Sequence, residues 1–180
     1  MKNILVITGS PRKNGNSDIM ANYFIEGAKE AGHEVQRFDA GRKKIGGCKA
    51  CNTCYSKGVA CSYNDDFNEL APMIEQADMI VFASPLYFYS FTAQIKAAID
   101  KMYSLYVGER PLKVNETMLL ACAETDVEKD FDGMVRSYEI MADFLKWENK
   151  GHILAVNVSG KGDINGKPIL EEVKALGRNA

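Results

Sequence analysis

The segment that most constrains the fold is a run of four large aliphatic residues followed at once by a polar loop. The aliphatic run is residues 4–7, and the loop is residues 9–17. Four consecutive aliphatic residues are typical of a strand that is buried on both faces of a parallel sheet. Apolar residues recur at helical spacing after Ser17, so the segment predicts a strand, a polar loop and a helix.

The loop has the composition of a phosphate-binding site. Ser10, Asn16 and Ser17 could donate hydrogen bonds beside a helix N-terminus, and Arg12 supplies a cation. The glycine spacing matches neither the dinucleotide-binding fingerprint nor the P-loop of NTPases. An ordinary surface turn capped by Ser17 is the alternative interpretation.

Four further segments predict the rest of a sheet, and helical spacing predicts helices between them. The strand segments are residues 34–38, 79–83, 118–123 and 152–156, and the first of these carries a weak pattern. Alternating strands and helices predict one α/β domain over residues 1–180, with a five-stranded parallel sheet covered on both faces. We expect the strand order 2-1-3-4-5, in which ligands bind at the carboxyl ends of strands one, three and four. Pro72 falls inside one helical stretch and predicts a kink or a new helix start there.

Composition and charge exclude several classes of partner. Apolar residues make up 46% of the 180 residues, which suffices for one substantial core. The net charge of −2 comes from well-mixed acidic and basic residues, which argues against a nucleic-acid partner or a polybasic membrane segment. The apolar runs are too short for a transmembrane helix, and a core strand so near the first residue leaves no room for a signal peptide. We therefore expect a cytoplasmic protein.

The loop after the third predicted strand is rich in aromatic residues. Residues 84–90 read Ser-Pro-Leu-Tyr-Phe-Tyr-Ser, with Tyr87, Phe88 and Tyr89 where the rim of a sheet is usually polar. If strands one and three are neighbours, these aromatic rings face the phosphate loop. The two loops together suit a ligand with a phosphate at one end and a flat ring at the other. The alternative is that one or two of these rings pack beneath the following helix as core.

The paired loops resemble a known family. Residues 9–12, 15–17 and 84–88, followed by Gln-Ile-Lys-Ala-Ala-Ile-Asp at 94–100, resemble the flavodoxin-like NAD(P)H-dependent FMN reductase family over essentially the whole chain. The resemblance implies a three-layer flavodoxin-like fold and noncovalently bound FMN.

The resemblance also assigns residues to the cofactor. It places the FMN phosphate on the first loop, the isoalloxazine beside the second, and the loop after strand four, which contains Glu124, on the third side. That third loop reads Ala-Glu-Thr-Asp at 123–126, where many members have a glycine-rich turn. The implied cofactor-binding residues are Ser10, Arg12, Asn16, Ser17, Pro85, Leu86, Tyr87, Phe88 and Glu124.

A cysteine-rich segment at about 40–63 is the other chemical signal. Four of the five cysteines, Cys48, Cys51, Cys54 and Cys61, lie there. In a reducing compartment this clustering favours metal or redox chemistry over disulfides. The C-x2-C-x2-C spacing lets one loop wrap three thiolates around a cubane cluster, and Cys61 could be the fourth ligand.

The cysteine motif resembles that of the iron–sulfur flavoproteins, a branch of the same family whose members carry [4Fe–4S]. Two alternatives stay open: a loop that keeps the cysteines without a cluster, and a zinc site. Zinc would favour two separated C-x2-C pairs over a contiguous triple.

The sequence therefore predicts an FMN-dependent oxidoreductase. It would transfer electrons from NAD(P)H or a reduced carrier to a flavin, a quinone or a small redox partner, with a [4Fe–4S] cluster as a candidate relay. We identify no catalytic side chain, because no nucleophile–base constellation is evident. A small FMN electron carrier without its own substrate site is the alternative. Surplus apolar residues at 87–89, Tyr103, Leu105 and Tyr106 predict a homodimer or larger homo-oligomer, with the flavin near a subunit boundary.

Overall fold

A five-stranded parallel sheet forms the centre of the molecule. The computed structural model describes all 180 residues, Met1–Ala180. The strands run in the order β2-β1-β3-β4-β5, and every neighbouring pair is parallel. The predicted fold class and strand order are therefore confirmed. The strands are β1 (Asn3–Thr8), β2 (Glu34–Phe38), β3 (Met79–Pro85), β4 (Glu116–Cys122) and β5 (Glu148–Ala155).

Helices cover both faces of the sheet and make three layers. Side chains of β1 point alternately to the two faces of the sheet, so both faces are apolar and need a cover. Ile4 and Val6 enter one apolar core, and Leu5 and Ile7 enter the other. The first core is closed by α1 and α6, and the second by α2, α3, α4 and α5. None of the helices is both long and apolar enough to span a membrane. The helices are α1 (Asn16–Glu30), α2 (Phe67–Gln76), α3 (Ala93–Lys101), α4 (Tyr103–Val107), α5 (Asp132–Leu145) and α6 (Ile169–Arg178).

Two glycines bring α1 and α6 into backbone contact. A Cβ atom on Gly27 would lie 2.0 Å from the carbonyl oxygen of Lys174, and one on Gly177 would lie 2.2 Å from that of Phe24. The Lys174 ammonium also reaches Glu26 at 2.6 Å. The close packing fixes α1, the helix that follows the polar loop.

Pro72 does not interrupt its helix. It lies inside the single helix Phe67–Gln76 and is exposed to solvent, so the predicted kink or restart gives no second helix. Proline at this position forfeits one backbone hydrogen bond, to the carbonyl of Asn68. Burial of Phe67, Leu70 and Ile74 on the opposite side of the helix outweighs that loss.

Candidate functional site

One cavity of about 500 Å³ lies at the carboxyl ends of β1, β3 and β4. This volume is in the range of small-molecule and cofactor sites. The structure therefore brings together residues that come from three separate loops, while their contact with a cofactor stays a prediction. All nine predicted cofactor-binding residues line the cavity: Ser10, Arg12, Asn16, Ser17, Pro85, Leu86, Tyr87, Phe88 and Glu124.

The first loop folds into a tight turn that delivers the N-terminus of α1 to the cavity. The backbone N–H of Arg12 donates to the Ser10 hydroxyl over 3.1 Å, and the N–H of Gly15 donates to the Arg12 carbonyl over 3.1 Å. Gly15 precedes α1 and provides no side-chain cap. Because the first N–H groups of a helix have no partner within the helix, they are available to an anion.

Ser17 supplies a second, independent sign of an anion site. Its side chain is 1% exposed, it lines the cavity, and its hydroxyl has no hydrogen-bond partner. A buried hydroxyl without a partner costs about 1–3 kcal/mol. A phosphate would satisfy both this hydroxyl and the helix N-terminus, so the residues present fit the phosphate end of a nucleotide such as FMN.

The Asn16 side chain is hydrogen-bonded within the protein, whereas the sequence predicted that it would donate to a phosphate. Its amide nitrogen donates to the carbonyls of Val158 and Gly160, at 3.2 and 2.9 Å. Its amide oxygen accepts the N–H groups of Gly162 and Ile164, at 3.1 and 3.3 Å. The side chain is therefore fully engaged in holding the loop after β5, which leaves the backbone N–H of Asn16 for a ligand.

Three lining residues, Val158, Ser159 and Lys161, come from that loop after β5 and were missed by sequence reasoning. Ser159 and Lys161 line the cavity, and Lys161 adds a second cation to it. The Ser159 hydroxyl donates to the carboxylate of Glu124 over 3.2 Å. The available signal was a lysine between two glycines, at 160–162, in the loop that follows the last strand.

The aromatic loop is a tight turn with strained backbone at its tip. The N–H and carbonyl of Tyr87 are hydrogen-bonded to the carbonyl and N–H of Ser90, at 2.9 and 3.1 Å. Phe88 and Tyr89 between them have positive φ angles of 47° and 65°. The left-handed conformation costs roughly 1–2 kcal/mol for a residue other than glycine.

The rings of this loop are not core. Phe88 is 97% exposed, and Tyr87 and Tyr89 are also exposed, so the alternative of packing beneath the next helix is wrong for all three. Phe91 fills that core position instead. Large rings held outward on a strained turn indicate a surface for a ligand or a partner.

A buried carboxylate supports the first loop from behind. Asp18, in the first turn of α1, accepts the N–H of Asn14 at 3.0 Å and forms ion pairs at 2.9 Å with Arg37 and Arg42. Both arginines also contact Asp39. Burial raises the pKa of Asp39, but hydrogen bonds, led by that from Arg37, outweigh burial and hold the pKa below its ordinary value.

The four clustered cysteines line a second, smaller hollow, which we call the cysteine hollow. The segment that carries them is closed at its base by Lys44 and Asp66, whose backbone N–H groups each bond to the other residue, at 2.7 and 3.1 Å. Three non-glycine residues within the segment, Ala50, Asn52 and Tyr55, have positive φ angles. This irregular path turns the cysteines toward one hollow.

The four clustered thiols lie near enough to affect one another electrostatically. Burial raises the pKa of the Cys54 thiol, and the charges of the other three clustered cysteines raise it further. No three Cys, His, Asp or Glu side chains are grouped as ligands of a single metal ion. Four cysteines around one hollow match the ligand number of a [4Fe–4S] cluster and of a structural zinc site alike.

Comparison with protein families assigns the chain. Residues 2–126, which include both cavity loops and the cysteine segment, match the family described as NADPH-dependent FMN reductase. The chain belongs to the NADPH-dependent FMN reductase family. The resemblance seen in the sequence motifs is thereby confirmed.

Relatives of this FMN reductase family member include several proteins named iron-sulfur flavoprotein. One from Archaeoglobus fulgidus is 41% identical over 105 residues, which cover 58% of this chain and 46% of the relative. One from Methanosarcina thermophila is 35% identical over 95 residues, 53% of this chain and 49% of the relative. The chain thus spans about half the length of these curated relatives.

Other similar proteins match nearly end to end. A Bacillus subtilis protein named putative NAD(P)H-dependent FMN-containing oxidoreductase YwqN is 22% identical over 179 residues, 96% of this chain and 92% of the relative. The solved structure of an NAD(P)H:quinone oxidoreductase from Methanothermobacter marburgensis superposes with a TM-score of 0.73 at 20% identity, covering 99% of this chain and 98% of the other. At that identity the superposition establishes the flavodoxin-like fold.

Proposed function

We propose that this member of the FMN reductase family is an FMN-dependent oxidoreductase. It would take electrons from NAD(P)H or a reduced carrier and pass them to a flavin, a quinone or a small redox partner. One observation carries the proposal: the unpartnered Ser17 hydroxyl and an uncapped helix N-terminus lie in the same cavity as an exposed aromatic loop. An anion site beside flat rings suits FMN, as family membership also implies.

The residues of the cavity divide between the two ends of the cofactor. Ser10, Ser17, Arg12 and the backbone of Asn16 would hold the phosphate, through hydroxyl and N–H donors and one guanidinium. The aromatic loop would flank the ring, and Glu124 would stand at its third side. Bound FMN supplies hydride and single-electron chemistry, so the chain's own task is to bind, orient and shield it.

The loops around the ring end are tied to one another before any ligand binds. The N–H of Leu86 donates to the Cys122 carbonyl at 2.8 Å, and the N–H of Val158 donates to the Ala123 carbonyl at 3.0 Å. Both bonds belong to backbone at the carboxyl ends of the strands. A site held by backbone bonds between neighbouring loops is pre-organised, which favours affinity because little ordering remains to be done on binding.

We also propose that the cysteine hollow holds a [4Fe–4S] cluster that relays single electrons to FMN. Cys48, Cys51, Cys54 and Cys61 all line the hollow, which supports this ligand set. The segment begins after the carboxyl end of β2, the same edge of the sheet as the cofactor cavity. The iron-sulfur flavoprotein names of the relatives also favour it.

A second copy of the chain is the partner that we propose for the exposed apolar face of α4 and α5. The rings of Tyr106 and Phe144 lie 5.4 Å apart on that face, and Phe144 is 64% exposed. The face continues toward the aromatic loop, because a Cβ on Gly133 would be 2.9 Å from the Tyr89 carbonyl oxygen. Leu105 is buried and does not contribute, contrary to the sequence-based expectation.

Light scattering should show a dimer or larger species, and Phe144→Asp should shift it toward monomer. A monomeric wild type at micromolar concentration would contradict the proposed contact between two copies.

The experiment for the main proposal is composition and spectra of protein made and handled without oxygen. We expect one FMN per chain, bleached by NADH or NADPH, and about four iron atoms per chain with matching acid-labile sulfide. Cys51→Ala should lose the iron and keep FMN. Cys122→Ala removes the cysteine outside the hollow and should keep the iron.

Each part of the proposal can fail separately. Protein that binds no FMN would overturn the cofactor assignment. Full FMN without iron after anaerobic reconstitution would make the enzyme a plain flavin reductase. Bound FMN that neither nicotinamide nucleotide reduces would favour the small electron carrier.

A further inference from the structure

The end of α3 and the start of α4 place a buried cation and a buried hydroxyl beside the cysteine hollow. Lys101 and Ser104 are 4% and 3% exposed, and both line the hollow together with the four clustered cysteines. Neither residue lines the cofactor cavity. Both are polar residues that are almost completely buried.

The ammonium of Lys101 has one ionic partner, the carboxylate of Asp65. That carboxylate also accepts the backbone N–H groups of Gly46 and Phe67, at 2.9 and 3.1 Å. A buried ammonium is unfavourable unless it is paired and hydrogen-bonded. Asp65 therefore balances Lys101 when the cysteines are neutral thiols, and thiolates in the hollow would add negative charge with no other buried cation beside them.

Ser104 provides an independent sign that the hollow takes an occupant. Its hydroxyl is buried and has no hydrogen-bond partner. Such a group lowers stability in the protein alone, and an acceptor atom in the hollow would remove that penalty. Sulfur anions are acceptors that the neighbouring cysteines, or a cluster bound by them, would provide.

We propose that Lys101 and Ser104 form the protein wall that recognises an anionic, sulfur-rich occupant of the cysteine hollow. The Lys101 ammonium compensates the charge of the thiolates, and the Ser104 hydroxyl donates a hydrogen bond to a sulfur atom. Net charge and hydrogen bonds to sulfur set the potential of an iron–sulfur cluster. With a cluster in place, which rests on the proposed function, both groups raise its reduction potential.

The first test needs no cluster. In full-length protein without iron, the clustered cysteines are alkylated with iodoacetate, which is an anion, and with iodoacetamide, which is neutral. The rate with iodoacetate divided by the rate with iodoacetamide reports the local electrostatic potential, because the thiolate fraction affects both reagents equally. Lys101→Met should lower this ratio about threefold or more, and Lys101→Arg should keep it. Lys49→Met removes an exposed lysine of the same hollow as a control, and its effect should vanish at high salt.

The second test is an EPR-monitored redox titration of the cluster. Lys101→Met should bind the oxidised form about tenfold better relative to the reduced form, which lowers a one-electron potential by about 59 mV. Ser104→Ala should lower it less. Asp65→Asn should raise it, because a negative charge is lost. If the ion pair between Lys101 and Asp65 only stabilises the fold, Lys101→Met and Asp65→Asn should not shift the reduction potential in opposite directions.

The outcomes separate the two proposals. An unchanged alkylation ratio in Lys101→Met overturns the charge role, whether or not the protein holds iron. Iron-free wild type with a lowered ratio in Lys101→Met supports the wall and refutes the cluster. If Lys101→Met loses iron that Lys101→Arg retains, with FMN and the thermal midpoint intact, charge is required for retention and the proposal stands. Equal loss of iron from Lys101→Met and Lys101→Arg overturns the charge role.

Discussion

The backbone of Gly41 lies directly against the carbonyl group of Ser10. A Cβ atom at position 41 would be 2.2 Å from the Ser10 oxygen. Gly41 belongs to the short 3-10 helix Ala40–Arg42, at the start of the cysteine segment. The first loop, at residues 9–17, and the cysteine segment therefore touch through backbone, and Arg42 adds its ion pair with Asp18 behind the same loop.

Gly41→Ala should displace the first loop. A Cβ at this distance from a carbonyl oxygen has no room, and overpacking costs about 1–3 kcal/mol. We expect FMN affinity to fall by about tenfold or more, measured by fluorescence titration of the apo protein. Gly47→Ala is the matched control, because a Cβ there meets no atom within 4 Å. Equal affinities for the two variants would refute the coupling.

Arg12→Ala should weaken the phosphate contact specifically. A hydrogen bond to a charged group contributes about 1.5–3 kcal/mol, so FMN should bind roughly tenfold to a hundredfold more weakly. Riboflavin has the same ring without the phosphate, and its affinity should not change. Lys13→Ala is the control, because Lys13 is exposed on the same loop but does not line the cavity. Parallel losses for FMN and riboflavin would place Arg12 at the ring instead.

Asp39→Asn should destabilise the protein at neutral pH and much less in acid. The folded state holds the pKa of Asp39 below its ordinary value, so the charged carboxylate is the form that the fold stabilises. That stability is present above the unfolded pKa of about 4 and is lost as the pH falls through the folded pKa. Urea unfolding of both proteins from pH 7 downward should show the gap closing below about pH 4. A gap that stays constant with pH would rule out the ion pairs with Arg37 and Arg42 as its cause.

The sheet could be predicted from sequence because each strand is marked by a short apolar run of its own. Runs such as residues 4–7 and 79–83 are apolar throughout, and alternation with helices determines a parallel sheet. Both cavity loops could be placed for the same reason, since the carboxyl ends of neighbouring strands meet at one edge. The exposed loop at 87–89 was harder, because an aromatic residue is usually buried and nothing local shows a left-handed turn.

What could not be predicted depends on contacts between distant residues. The Asn16 amide bonds to the Val158 carbonyl, 142 positions away, and its residue type alone resembles a phosphate ligand. Gly41, which contacts Ser10, lies in a segment whose apolar residues show neither helical nor strand periodicity. The spacing of the cysteines gives the order of possible ligands along the chain, but the hollow also needs Lys101 and Ser104 from another helix pair.

Phe88 offers a test that separates backbone strain from ligand binding. Its positive φ of 47° is unfavourable for any residue with a Cβ, and its ring is almost fully exposed. Phe88→Gly removes both the strain and the ring, whereas Phe88→Ala removes the ring and keeps the strain. Strain relief of roughly 1–2 kcal/mol, less the roughly 0.4–1 kcal/mol that glycine gives back through the unfolded chain, should make the glycine variant more stable than the alanine variant by up to about 1.6 kcal/mol.

Both variants should bind FMN more weakly than wild type and by similar factors, because both lack the ring that we place beside the isoalloxazine. Chemical denaturation of the apo proteins gives the stability order, and FMN titration gives the affinities. A strained residue that is kept although glycine would be more stable indicates selection for function rather than for stability. If either variant binds FMN as tightly as wild type, Phe88 has no part in holding the cofactor, and its exposure belongs to the proposed contact between two copies of the chain.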